Sequence, residues 1–242
     1  MKPAAIAAQT RIEVLLTLRR AESLVVTLAI PVGILVFFAE VDAANSSLDD
    51  PVAFLVPGVL ALAVMSTAMV SLGIATGYER RYAVLKRLGS TPLSRPGLLA
   101  AKTANVLVIE VLQAVVVIAV GLALGWDGTA RVIPAIGILL IGTVAFAGIG
   151  MLMAATLPAE ANLALSNGLF LALLFFGGMA YPLDRLPGAL EAIAQALPAA
   201  ALSETVRDVL AGGAFPAGSF LVLVAWAVAA PLAAVRWFRW EE

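Results

Sequence analysis

The polar residues of this chain fall in clusters, and between the clusters run apolar stretches of membrane-crossing length. A bilayer core of about 30 Å takes roughly 20 apolar residues of helix. On that scale spans are expected at about 24–39, 52–76, 106–124, 132–157, 163–180 and 217–235. The first carries Pro31 and Gly33, which predict a kink that neighbouring groups can accommodate. It should open into a polar loop, Glu40, Asp42, Asn45, Ser46, Ser47, Asp49, Asp50 and Pro51, without a basic residue. The second holds the four-apart pair Gly73 and Gly77. Its Met65 and Met69 are candidates for an adaptable substrate path as well as for ordinary packing.

The third span contains Glu110 and Gln113 and ends in Gly121, Gly125 and an expected interfacial anchor, Trp126. An intramembrane carboxylate is a functional-site hypothesis by default. Here it stands about two turns from Lys102, so pairing with a basic residue competes with binding a cationic or polar substrate group, Gln113 assisting. The fourth span is rich in small residues (Gly137, Gly142, Gly148, Gly150), which invites close approach by another helix. Asn162, Ser166 and Asn167 near the fifth suit interhelical hydrogen bonds, with Asn167 kept as a substrate-path candidate.

The clusters between the spans carry helical patterns of their own. Residues 1–20 place Lys2, Arg11, Arg19 and Arg20 among alanines and leucines, with Ile12, Leu15, Leu16 and Leu18 suited to a membrane interface. The late basic residues argue against a cleavable signal peptide. Residues 78–102 are the most charged part, beginning with a short amphipathic helix on which Tyr78, Tyr82 and Leu85 share a face, stopped by Gly89 and followed by Pro92 and Pro96. Residues 181–216 predict two short helices either side of Pro198, neither long enough to span, forming a partly inserted hairpin. Arg236, Trp237, Phe238, Arg239 and Trp240 close the chain as an aromatic and basic anchor.

Composition agrees with that layout and removes most chemistry. Of 242 residues 62% are hydrophobic and 13% charged, and the mean hydropathy is +1.02, far beyond a soluble domain. The fold class is therefore an all-α membrane protein, one domain over 1–242 with six transmembrane helices. With no histidine and no cysteine, thiolate and imidazole metal sites, Ser-His and Cys-His nucleophiles and disulfides are excluded. An intramembrane enzyme lacks an acid/base pair. Nor is there a G-x-x-x-x-G-K-[ST] phosphate loop. The net charge of −1 conceals a strong asymmetry: with six spans, twelve Lys and Arg lie on the side of the termini and three, Arg131, Arg185 and Arg207, on the other. That distribution puts both termini in the cytoplasm.

The run Glu79-Arg80-Arg81 followed by Leu85-Lys86-Arg87-Leu88-Gly89-Ser90-Thr91-Pro92-Leu93-Ser94 resembles the type-2 permease subunits of bacterial ABC exporters, including those for daunorubicin-like drugs and for polysaccharide or teichoic-acid precursors. Phe176-Gly177-Gly178-Met179 with Pro182-Leu183 and Leu186-Pro187 is similar to that family's extracellular hairpin before its last helix. The resemblance implies that residues 78–97 form a cytoplasmic coupling element for separate ABC ATPase subunits, which would carry ATP and Mg while this chain binds no cofactor. It implies a second permease copy, identical or homologous, in the bacterial inner membrane among lipids, with no nucleic acid partner. The expected cargo is drug-like, amphipathic or lipid-linked. Competing functions are an ion-driven exporter using Glu110 and a non-transporting membrane scaffold.

Overall fold

The computed structural model describes residues 3–19, 21–45, 50–91, 93–128, 131–179 and 182–238. Lys2, Arg20, Ser46, Ser47, Asp49, Pro92, Ala180, Tyr181, Arg239 and Trp240 lie outside the described residues. Every regular element among those described is a helix. In order they are α1 (Pro3–Arg19), α2 (Ala21–Asn45), α3 (Pro51–Val64), a π-helical stretch (Met65–Ser71), α4 (Leu72–Arg81), α5 (Val84–Gly89), α6 (Arg95–Ala123), α7 (Val132–Thr156) and α8 (Ala159–Phe176). A 3₁₀ turn (Leu183–Arg185), α9 (Gly188–Gln195), α10 (Pro198–Ala211) and α11 (Ala217–Trp237) follow.

Five helices among the described residues are long and apolar enough to cross a membrane: Pro51–Arg81, Arg95–Ala123, Val132–Thr156, Ala159–Phe176 and Ala217–Trp237. The expected first span corresponds to α2, whose apolar stretch Thr27–Val41 is shorter. The chain is thus an all-α, multi-pass membrane protein. Its helices overrun the apolar windows read from the sequence. α2 is unbroken at Pro31 and continues to Asn45, so Glu40 to Asn45 are helical rather than loop. The second span reaches Arg81 and the third begins at Arg95, which shortens the charged connection of 78–97 to residues 82–94. Hydropathy marks only the lipid-facing part of a helix, whereas backbone groups near the interface gain by staying hydrogen-bonded within it.

Local chemistry sets the helix boundaries. Asp50 caps α3 by accepting from the Ala53 N–H at 3.0 Å, with Pro51 in the first turn, where its missing N–H costs nothing. Ser94 caps α6 through the Gly97 N–H at 3.2 Å, and Gly212, at φ 75°, ends α10.

α7 is the centre of the bundle, and its Gly142, Gly148 and Gly150 are spent inside the chain, while Gly137 faces open space. A Cβ on Gly148 would stand 2.5 Å from the Pro231 nitrogen of α11, and one on Gly150 would stand 2.5 Å from the Met69 carbonyl oxygen of the π stretch. At Gly148 and Gly150 the close approach is made within the chain, by α11 and the π stretch. Trp126 also departs from its expected place. It is 5% exposed, tucked under the end of α6 with its backbone N–H donating to Gly121 O at 2.9 Å, so it plugs the bundle rather than anchoring it in the interface.

The connection after α8 folds back into the protein. Ala199, Ala200, Ala201, Leu202 and Ser203 of α10 are fully buried, packed against α3, α7 and α11. Leu202 reaches Gly142, ten residues into α7 and so about 15 Å along it at 1.5 Å per residue. That is roughly half the thickness of a bilayer core.

Candidate functional site

At the end of the second span the chain turns sharply. Ala83 adopts φ 58°, ψ 18°, a left-handed conformation that costs an L-residue about 1–2 kcal/mol, and the turn swings α5 away from the axis of α4. The fully buried Leu85 fixes α5 to the bundle, while Tyr82 (65% exposed) and Val84 (40%) point outward. Arg81, Lys86, Arg87 and Gly89 are exposed as well, and Leu88 is half-buried. The Ser90 and Thr91 hydroxyls donate to Arg87 O at 2.7 Å and Leu88 O at 2.6 Å, satisfying carbonyls at the helix end.

Two of the basic residues at this end work within the chain. Arg80 is 4% exposed and donates to Leu157 O, in the α7–α8 turn, at 2.5 Å. Arg81 forms an ion pair with Glu160 at the start of α8. Together they tie α4 to the far side of the bundle. On the near side Lys102, 2% exposed, lies 3.0 Å from Glu13 of α1 and 2.7 Å from Glu79 of α4. The Asn105 amide donates to Thr17 Oγ1 at 3.2 Å beside it. A cleft of about 180 Å³ lies among Glu13, Thr17, Glu79, Lys102 and Asn105. In the sequence Lys102 ends the basic run 78–102, and Glu13 is not among the residues that composition or charge singles out. The spacing of Gln9, Glu13 and Thr17, one polar side of α1, was the available signal.

A second polar layer crosses the interior midway along α6. Gln113, fully buried, accepts from Thr67 Oγ1 of the π stretch at 3.0 Å and donates to Thr27 O of α2 at 3.1 Å. Three residues earlier, Glu110 Oε2 accepts from Thr143 Oγ1 of α7 at 2.5 Å, while its buried Oε1 has no hydrogen-bond partner among the described residues. Glu110 is 8% exposed and lines an apolar cleft of about 80 Å³. Among the described residues it pairs with no basic side chain, because Lys102 is held by the two other glutamates. Met65 and Met69 are fully buried and line neither cleft. Asn167 is exposed and donates to Leu163 O within its own helix at 2.9 Å. Its neighbour Asn162 makes the interhelical bond, donating to Gly73 O at 2.8 Å.

At the opposite end, Leu183 is buried, Pro182 and Leu186 are half-buried and Pro187 is exposed. Arg207 of α10 donates to Gly178 O at 2.6 Å and lies 3.9 Å over the Phe54 ring. Burial pulls its guanidinium down to about 10, opposed by Glu204 and Asp208. The Ser203 hydroxyl donates to Gly177 O. These bonds fasten the hairpin to the end of α8.

No curated protein matches the chain. The model of the ABC-2 type transporter family matches residues 5–211, from α1 to the last turn of α10, and so takes in the α4–α5 turn, both polar layers and the hairpin. The chain belongs to the ABC-2 type transporter family, as a multi-pass membrane component of such a transporter.

Proposed function

We propose that this chain is the permease subunit of an ATP-driven exporter in the bacterial inner membrane, and that α5 is its contact with a separate ATPase subunit. The observation that carries the reading is the mounting of α5: an exposed tip with Tyr82, Val84, Lys86 and Arg87 on a helix end braced by Arg80, Arg81 and the Glu13–Lys102–Glu79 cluster. A tip alone would bend when pushed. A braced tip passes the displacement into α1, α4, α6 and the α7–α8 turn together.

In this reading both termini and α5 are cytoplasmic, α1 lies in the membrane interface and the 181–216 hairpin faces outside. ATP and Mg belong to the partner, and a second permease copy completes the path. Glu79, Arg80 and Leu85 set the stiffness and pose of the coupling element, while Arg81, Lys86, Arg87, Leu88 and Gly89 offer its surface. Glu110 and Gln113 contribute to the path for an amphipathic, drug-like or lipid-linked cargo. Met65, Met69 and Asn167 recede as lining residues because of their packing and orientation. The expelled cargo passes the hairpin, where Pro182, Leu183, Leu186 and Pro187 shape the exit.

Co-expression with the ATPase encoded beside it tests this. Lys86→Glu with Arg87→Glu should abolish co-purification while leaving the permease folded, since exposed substitutions shift stability by only about 0.5 kcal/mol. Undiminished co-purification and undiminished transport-coupled ATP hydrolysis would remove α5 from the mechanism.

A further inference from the structure

The cleft beside the brace is built differently at its two ends. Lys102 is 2% exposed, whereas the Glu13 and Glu79 side chains next to it keep 14% and 26%, and all three line the cleft. The charged surface that the cleft offers is therefore carboxylate, with the ammonium set behind it. Among the described lining residues two negative charges meet one positive. Farther in, the wall is made by Leu72, Val106 and Ile109. Lys102 and Ile109 stand seven positions apart on α6, about 10 Å of helix. Leu16 of α1 is 50% exposed, and Ser71 and Ala75 of the second span are exposed as well, so the cleft opens sideways between α1 and that span. Ser71 lies ten residues inside the helix end at Arg81, about 15 Å, where the surroundings are hydrocarbon rather than water.

We propose that this cleft binds an amphipathic cation from the cytoplasmic leaflet, with its ammonium at Glu13 and Glu79 and the start of its hydrocarbon chain along Val106 and Ile109. The charge points to a cation. An ammonium brings N–H donors and a counter-charge to two carboxylates that share one lysine, and charge-assisted bonds of this kind are about twice as strong as neutral ones. The order of the cleft points to an amphiphile. Charge near the interface and apolar wall toward the bilayer centre is how such a molecule already lies in that leaflet, so it enters sideways without turning over. A volume of about 180 Å³ exceeds the roughly 150 Å³ in which an engineered apolar cavity holds benzene. It falls short of the roughly 300–1,000 Å³ of pockets that enclose a drug-sized ligand. The cleft thus takes a head and the first carbons, while the rest of the tail stays among lipid tails. The inference rests on the export reading, which puts this end of the bundle at the cytoplasmic face and calls for a cargo.

The test uses the full chain in phosphatidylcholine nanodiscs without any ATPase, so that its failure leaves the α5 contact untouched and the reverse. Dodecylammonium is titrated below its micelle concentration, beside dodecanol, the uncharged analogue, and propylammonium, the head without the tail, and the unfolding temperature is followed. Dodecylammonium should raise it saturably, and the other two should not at the same concentrations. Glu13→Gln, which leaves the pair of Lys102 and Glu79 in place, should weaken the apparent affinity by about tenfold or more, the loss expected of a hydrogen bond to a charged group. Ala75→Trp, which fills the mouth and spares both carboxylates, should abolish the response, and it carries the test if Glu13→Gln fails to fold. Equal shifts by dodecylammonium and either analogue, no shift by any of the three, or a response unchanged in both variants would overturn the proposal.

Discussion

The two ends of the bundle are held together in different ways. At the end that carries α5 the helices are joined by charge: Lys102 of α6 between Glu13 of α1 and Glu79 of α4, and Arg81 of α4 with Glu160 of α8. At the hairpin end they are joined by packing, with five consecutive residues of α10 fully buried and Leu202 seated on Gly142. The hairpin's own half-buried cation, Arg207, donates to a backbone carbonyl and covers an aromatic ring. Charged contacts are directional and can be exchanged, so they suit the end that the proposed function gives to a partner. Packed contacts resist sliding and suit an end that holds its shape.

Substitutions can break this contrast. The largest effect is expected for Lys102→Met, which leaves Glu13 and Glu79 facing each other with little water. Breaking a buried pair from one side costs about 3–5 kcal/mol, and thermal unfolding in detergent should show it. Adding Glu13→Gln and Glu79→Gln should recover most of the loss, and failure to recover would mean that packing, not charge, holds that end.

Arg207→Met keeps the bulk over Phe54 but removes the donor to Gly178 O. A loss of about 1–3 kcal/mol is expected, accompanied by faster proteolysis within residues 182–216. If proteolysis instead increased at α5, the two ends would be more tightly linked than their contacts suggest. A smaller change, about 0.6 kcal/mol and at most about 2, is expected from Thr67→Val, because interhelical hydrogen bonds inside membranes contribute little net stability. A double-mutant cycle with Gln113→Leu measures it.

The smallest effect is expected for Ala83→Gly. Relief of the left-handed conformation is offset by the greater freedom of glycine in the unfolded chain, so stability should move by less than about 1 kcal/mol. Coupling to the ATPase should nevertheless fall, because the turn that aims α5 becomes pliable. Unchanged coupling in Ala83→Gly would show that the direction of α5 is set by Leu85 and not by the turn.

Several features were legible before any tertiary structure was known. Apolar windows located the spans from α3 to α11, Gly89 ended α5, and the breaks at Pro187 and Pro198 separated the short helices of the hairpin. The absence of histidine and cysteine removed most catalytic chemistry. These follow from local rules: apolar length, helix-breaking residues and side-chain inventory act within a few neighbours along the chain.

Partner choice was decided only in three dimensions. Lys102 is separated from Glu13 by 89 positions and from Glu79 by 23, and no local pattern says which carboxylate a lysine will meet. For the same reason Glu110 stood beside Lys102 in the sequence and apart from it in the fold, bonded to Thr143 instead. The small residues of α7 predicted close helix approach correctly, but composition carries no label for the approaching helix, and it proved to be this chain's own α11. A membrane sequence determines which segments enter the bilayer, because each is weighed against lipid separately. Which faces then meet is a competition among all the helices at once, and only the packed bundle settles it.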